Sequence, residues 1–90
     1  MRIIYDPDKR KATLAQRGLD MSDAAILFGG RTLTFPDIRC DSGENRQIIV
    51  GFLKERMIIL VWVRRDDARR IISMRKANDR EQTSYGPRFR

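Results

Sequence analysis

Arginine is the residue type through which this sequence could do chemistry. The chain of 90 residues has 19 Lys plus Arg against 12 Asp plus Glu, a formal charge of +7, and 15 of the 19 basic residues are Arg. A planar guanidinium binds phosphate through paired hydrogen bonds and stacks on nucleobases. Residues 1–45 have seven basic and seven acidic side chains, whereas residues 46–90 have twelve and five. The excess in the second half indicates a polyanion-binding face, and a solvated arginine-rich surface is the alternative interpretation.

The residue types that are missing exclude several kinds of site. There is no histidine, which excludes a Ser/His/Asp triad, a Cys/His zinc site and a histidine acid/base pair. The one cysteine, Cys40, cannot form an internal disulfide and suits a reducing compartment. The acidic residues lack the spacing of a two-metal nuclease, and Gly29-Gly30 and Gly43 are turn glycines rather than a phosphate-binding loop. We therefore predict neither a metal nor a cofactor.

Length and hydropathy predict one small cytoplasmic domain. Ninety residues are near the lower end of what a self-sufficient hydrophobic core needs. The longest apolar run, Met57 to Val63, is far shorter than the roughly 20 residues of a membrane-spanning helix, so no membrane partner is expected. We place the domain at residues 1–87 and expect residues 88–90 to be a frayed basic tail.

Local signals predict the elements that must position the arginines. Asp6, Pro7 and Gly18 have the types expected of an N-cap, a first-turn proline and a left-handed C-cap, and Ser22 is expected to cap a second helix. Consecutive strands are joined by turns too short for crossovers, so they must be antiparallel. The predicted order is strand 2–5, helices 7–17 and 23–28, strands 31–35, 46–53, 56–65 and 69–75, and helix 76–85. This is an α+β fold of order β-α-α-β-β-β-β-α, with an antiparallel sheet and the helices on one face.

On the later strands and at their ends, six arginines form a candidate cluster. Alternation along the last strand places Arg69, Ser73 and Arg75 on one face and Arg70 on the other, and a one-residue slip would exchange the faces. Trp62, in the most apolar strand, is expected in the core rather than stacked on a base. For any single arginine, a structural role in a salt bridge is the better interpretation. A set of arginines with few acidic neighbours instead favours the binding of an anion. The set is Arg46, Arg64, Arg65, Arg69, Arg70 and Arg75.

The stretch Arg70–Glu81, followed by Tyr85, closely resembles the signature of the BrnT family of bacterial type II toxins. Other segments agree with the family in order and spacing: Tyr5–Lys9, Asp23–Phe28, and Gly43–Arg46 with Gly51. The family is similar in fold to the RelE toxins, which are α+β ribonucleases. The resemblance implies an endoribonuclease that cuts RNA, inhibits translation and arrests growth. It also implies neutralisation by a BrnA-type antitoxin, through which promoter DNA would be bound.

One segment departs from the family pattern. Gln16-Arg17-Gly18 stands where members of the family commonly have Lys-His-Gly. An imidazole transfers protons near neutral pH, while a guanidinium does not practically deprotonate. If the family histidine is the acid/base, activity here is reduced or carried by another residue. If it binds phosphate, Arg17 is an adequate replacement.

The chemistry of RNA cleavage and the resemblance together assign roles to individual residues. Without a metal, the 2′-hydroxyl of the RNA is the nucleophile, and the protein must stabilise charge on the phosphorane. The predicted catalytic residues are Arg17, Glu44, Arg46, Arg69 and Arg75, and the predicted RNA-binding residues are Lys9, Arg64, Arg65, Arg70, Lys76, Arg80 and Tyr85. Glu44 is the candidate base or an ion-pair partner of Arg46, and Lys9 or Tyr85 assists the leaving group or is structural. The alternatives are a catalytically silent RNA-binding or antitoxin-binding module, and a toxin that acts on a protein.

Overall fold

A computed structural model describes residues 2–38 and 45–89, which form an α+β domain. The strands and helices follow the predicted order β-α-α-β-β-β-β-α. The strands are β1 Arg2–Ile4, β2 Leu33–Pro36, β3 Gln47–Leu53, β4 Arg56–Arg65 and β5 Ala68–Lys76. The helices are α1 Pro7–Arg17, α2 Ala24–Gly29 and α3 Asp79–Tyr85, with 3₁₀ turns at Met21–Asp23 and Gly86–Phe89.

The five described strands form one sheet in the order β1-β5-β4-β3-β2. The consecutive pairs β2–β3, β3–β4 and β4–β5 are antiparallel, which confirms the prediction from the short turns. β1 adds to the far edge by pairing in parallel with β5, from Arg2 opposite Ala68 to Ile4 opposite Arg70. The sheet is therefore mixed, and β1 covers only the first three residues of β5.

A β-bulge in β5 changes the face that its later residues occupy. The register moves from Trp62 opposite Ile71 to Val61 opposite Ser73, which leaves Ile72 as the extra residue. Strict alternation, which placed Arg75 on the face opposite Arg70, was therefore wrong beyond Ile72. Arg75 lies opposite Ile59, on the same face of the sheet as Arg70.

Apolar side chains pack on both faces of the sheet. On one face, called here the α1–α2 face, Ile58 and Leu60 are buried with Leu27, and Trp62 packs against them as predicted. On the other, called the α3 face, Ile48, Val50, Met57, Ile59, Val61 and Ala77 form a second buried cluster. Tyr85 and Phe89 pack on this second cluster, because α3 and the following 3₁₀ turn cross it. The expectation that all helices lie on one face was therefore wrong.

Gly51 lets α2 approach the sheet closely. A Cβ atom at this position would lie 2.7 Å from Leu27 Cδ2 and 3.3 Å from Thr32 Cγ2. Contacts between carbon atoms are normally 3.5–4.0 Å. The absence of a side chain at Gly51 therefore sets the distance between the second helix and the middle of the sheet.

The helix ends follow the predicted signals with one exception. Asp6 accepts a hydrogen bond from the Asp8 amide at 2.8 Å, and Gly18 closes α1 with a φ of 69°. Ser22 was predicted as the cap of the second helix, but α2 begins at Ala24 after Asp23, whose side chain makes no capping hydrogen bond. Ser22 lies in the preceding 3₁₀ turn, which is capped by Asp20; its carboxylate accepts from both the backbone amide and the hydroxyl of Ser22. The carboxylate also binds the Arg10 guanidinium at 2.8 and 2.9 Å. The hydrogen bond from Arg10, followed by those from Ser22, lowers the pKa of Asp20 far below its ordinary value.

The C-terminal elements differ from their predicted bounds. β5 continues to Lys76, and α3 begins at Asp79 because Asn78 and Glu81 form a capping box. Phe89, expected in a frayed tail, packs edge-on against Phe52 with ring centroids 5.0 Å apart, and its carbonyl accepts a 2.7 Å hydrogen bond from Arg31. Among the described residues, no helix is long and apolar enough to cross a membrane.

Candidate nucleic-acid interface

Two basic side chains of α1 cover the part of the β5 edge that β1 leaves open. β1 pairs with residues 68–70, so the next outward-facing carbonyls need other donors. Lys9 Nζ donates to the carbonyl of Ile72, and Arg17 Nη1 donates to the carbonyl of Met74 at 2.9 Å. Both residues were predicted as site residues. The structure brings them together along one edge of the sheet.

A groove of about 240 Å³ lies between α1 and β5 at this edge. We call it the α1–β5 groove; it is lined by Lys9, Ala12, Thr13, Gln16, Arg17, Met21 and Ser73. None of these residues is acidic, and both cations are held by neutral carbonyls rather than carboxylates. Hydroxyl and amide donors stand beside the cations. The groove therefore has the composition of a site for an anion such as phosphate.

Thr13, Gln16 and Ser73 are lining residues that the sequence analysis missed. A helical signal for Thr13 existed, because Lys9, Thr13 and Arg17 are spaced four residues apart and so share one face of α1. Ser73 had no comparable signal, since its position depends on the bulge in β5.

Arg75 is tied to α3. Its Nη1 and Nη2 donate to the two carboxylate oxygens of Glu81, both at 2.7 Å, and Glu81 also accepts from the Asn78 amide at 2.9 Å. The hydrogen bond to Glu81 raises the pKa of Arg75 above its ordinary value. This pair holds the first turn of α3 against β5. An RNA phosphate would have to compete with Glu81 for this guanidinium.

The other five arginines of the predicted set gather at the hairpin end of β4 and β5, but on both faces of the sheet. Arg70 lies opposite Val63 on the α3 face, and alternation along β4 and β3 places Arg65 and Arg46 on that face too. Arg64 and Arg69 lie opposite each other on the α1–α2 face. Arg64 Nε donates to the Asp66 carbonyl at 3.1 Å. The Nε atoms of Arg46 and Arg69 are buried without a hydrogen-bond partner among the described residues.

The other predicted site residues lie apart from the α1–β5 groove. Lys76 lines a separate groove of about 670 Å³ with Phe52 and Phe89, and Arg80 is exposed on α3. The Tyr85 ring packs against Phe35 at a centroid distance of 5.7 Å. Glu44 lies outside the described residues.

Comparison with known families identifies the class of this protein, the ribonuclease toxins of type II toxin-antitoxin systems. Residues 5–81, more than half of the chain, match the family described as "Ribonuclease toxin, BrnT, of type II toxin-antitoxin system", and the chain belongs to this family. No curated protein matches the chain. RNA as substrate and an antitoxin as partner follow from the family.

Proposed function

We propose that this chain is a metal-independent endoribonuclease that holds the scissile phosphate of RNA in the α1–β5 groove. The observation that supports this most strongly is the pair of cations, Lys9 and Arg17, in a groove whose lining has no carboxylate. Neither cation forms an ion pair within residues 2–38 and 45–89. Their positive charge is therefore available to a phosphate.

The proposed reaction uses the 2′-hydroxyl of the RNA as nucleophile. Its oxygen attacks the adjacent phosphorus, the bond to the 5′-oxygen breaks, and the products are a 2′,3′-cyclic phosphate and a free 5′-hydroxyl. Negative charge grows on the non-bridging oxygens as the phosphorane forms. Arg17 and Lys9 stabilise that charge, and the side chains of Thr13, Gln16 and Ser73 are within the same groove to donate hydrogen bonds.

Proton transfer needs groups other than Arg17, because a guanidinium stays protonated. Glu44 is our candidate for the base that accepts the 2′-hydroxyl proton. Lys9 is the candidate for the acid that protonates the 5′-oxygen, since its ammonium lines the groove, whereas Tyr85 packs against Phe35. Arg75 acts by holding α3 through Glu81.

The basic residues outside the groove bind the flanking RNA in this proposal. They are the predicted RNA-binding residues Arg64, Arg65, Arg70, Lys76 and Arg80, together with Arg46 and Arg69, which were predicted as catalytic but do not line the groove. Contacts of this kind act mainly through charge and make binding sensitive to salt. Cleavage in the cytoplasm would inhibit translation and arrest growth, and a BrnA-type antitoxin would neutralise it and bring the pair to promoter DNA.

The test is incubation of purified protein with RNA in the presence of a chelator. We expect fragments that carry cyclic-phosphate ends. Intact RNA at high protein concentration would refute the proposal. Salt-sensitive RNA binding without cleavage would instead support a catalytically silent module, which Arg17 at the family's histidine position favours as the second candidate. Expression with and without the neighbouring antitoxin gene then tests toxicity and its neutralisation.

A further inference from the structure

Arg69 is held by two aromatic rings on the α1–α2 face. Its guanidinium carbon lies 3.9 Å from the centre of the Phe28 ring and 5.3 Å from the centre of the Trp62 ring. The two rings meet edge to face with their centres 5.5 Å apart. Such cation–π contacts orient the planar guanidinium as well as stabilise it.

The three distances show that both rings lie toward one side of Arg69. Seen from the guanidinium carbon, the centres of the two rings are less than 90° apart. This follows from the three distances, because the square of 5.5 Å is smaller than the sum of the squares of 3.9 Å and 5.3 Å. Neither ring therefore covers the opposite side. Arg69 is half-buried, and its Nε atom is fully buried. The Nε edge, which often takes part in bidentate phosphate binding, is consequently turned into the protein.

Among the residues that the structure describes, no acidic side chain is paired with Arg69. It forms no ion pair or hydrogen bond within residues 2–38 and 45–89. Arg64 stands directly opposite it in the β4–β5 register, and like charges in that arrangement repel. Of the two acidic residues in the adjoining turn, Asp67 lies 3.5 Å from Arg2, and Asp66 offers its carbonyl to Arg64. The arrangement would gain from an electron-rich ligand on the side away from the two rings.

We propose that Arg69, backed by Phe28 and Trp62, is a stacking platform for one nucleobase of the bound RNA. The inference rests on the proposed function and extends it from the phosphate site to a base subsite. Every nucleobase has a π-face that can stack on a guanidinium plane. The aromatic backing fixes that plane before RNA arrives, so less side-chain freedom is lost on binding. A phosphate contact, by contrast, uses the N–H edges, and the Nε edge of Arg69 is buried.

The experiment measures binding of a short 2′-O-methyl oligoribonucleotide, which lacks the attacking hydroxyl, to the full chain. The same oligonucleotide is then made with one abasic position, moved along its length. Trp62 is the single tryptophan of the sequence and lies beneath Arg69, so its fluorescence reports on this subsite. We expect one position at which loss of the base weakens binding about tenfold and abolishes the fluorescence change.

Arg69→Lys keeps the charge and removes the planar group, and Arg56→Lys is the matched control. Arg56 is exposed at the opposite end of β4 and has no role in the proposed site. We expect Arg69→Lys to bind the intact oligonucleotide about tenfold more weakly than the parent does. Removing the base at the sensitive position should not weaken the binding of this variant any further. Phe28→Leu, checked for folding by thermal denaturation, should weaken binding at the same position. Arg56→Lys should behave like the parent.

The outcomes separate the two proposals. If the parent protein binds and cleaves RNA but Arg69→Lys loses the same factor on every oligonucleotide, the stacking platform is refuted and the phosphate site stands. Unchanged affinity of Arg69→Lys for intact RNA would refute it as well. If the parent protein neither binds nor cleaves RNA, both proposals fail together.

Discussion

Replacing Arg17 with alanine tests whether this residue acts on RNA or only closes the sheet edge. Arg17 uses one of its five N–H donors on the Met74 carbonyl, and within residues 2–38 and 45–89 the other four make no hydrogen bond and can bind a phosphate in the groove. Loss of one preorganised donor to developing charge typically lowers kcat by about 10²–10³. We expect about a hundredfold loss of kcat/KM, equivalent to about 2.7 kcal/mol. The stability loss should be about 1 kcal/mol, the worth of one hydrogen bond at a partly exposed site.

Salt dependence gives an independent measure of the same contact. Each phosphate contact to single-stranded nucleic acid contributes about 0.7 to the slope of log K against log salt. Arg17→Ala should lower the slope by about this amount. Arg17→Lys keeps the charge, and its slope should stay near that of the parent. Its rate should still fall, because an ammonium lacks the planar fork that reaches carbonyl and phosphate together.

Arg31→Ala is the matched control for this prediction. Arg31 is also exposed and also donates Nη1 to a backbone carbonyl, that of Phe89 at 2.7 Å, but it lies away from the α1–β5 groove. The two variants should lose similar stability in urea denaturation, and only Arg17→Ala should lose cleavage and salt slope. Equal effects of both variants on cleavage would refute the assignment and leave Arg17 as an edge-capping residue.

Three further predictions concern the fold. Gly51→Ala should destabilise by about 1–3 kcal/mol in urea denaturation, because its Cβ would lie 2.7 Å from buried Leu27; an unchanged midpoint would contradict the packing. The folded-state pKa of Asp20 is below its unfolded value, so its carboxylate stabilises the fold above about pH 4, and this is lost as the pH falls further. Asp20→Asn should thus be about 0.5–1 kcal/mol less stable than the parent at pH 7 and should converge with it toward about pH 2; a pH-independent difference would contradict this. Lys54→Asn with Glu55→Gly should stabilise by about 1 kcal/mol, since both residues have positive φ, 49° and 67°; a lower melting temperature would contradict it.

Elements with strong local signals could be predicted closely from the sequence. α1 has its predicted bounds because Pro7 and Gly18 act on the backbone beside them. β4 also has its predicted bounds, since the two-residue turns on either side fix its ends. Asp20, the cap of the 3₁₀ turn before α2, was missed because Ser22 has an equally suitable type, and only the position of Arg10 favours the carboxylate.

Features that depend on distant parts of the chain could not be predicted in the same way. The parallel pairing of β1 with β5 joins residues more than 60 positions apart, and no local pattern specifies it. The bulge at Ile72 also has no recognisable signal in the sequence, yet it determines the face of the sheet on which Arg75 lies. The predicted arginine cluster is consequently divided. Alternation alone places Arg64 and Arg65 on opposite faces, and the bulge then puts Arg75 beside Glu81.

The guanidinium at position 17 changes what the α1–β5 groove can contribute to a reaction. An imidazole there would combine proton transfer with phosphate binding, whereas Arg17 binds the Met74 carbonyl and keeps a permanent charge toward the groove. Electrostatic stabilisation is usually the larger share of such catalysis, and general acid–base transfer adds about 10²–10⁴-fold. The groove therefore retains the larger contribution. The smaller one has to come from other groups, for which Lys9 and Glu44 are our candidates, and this is why the salt dependence of Arg17 variants is more informative than their rates alone.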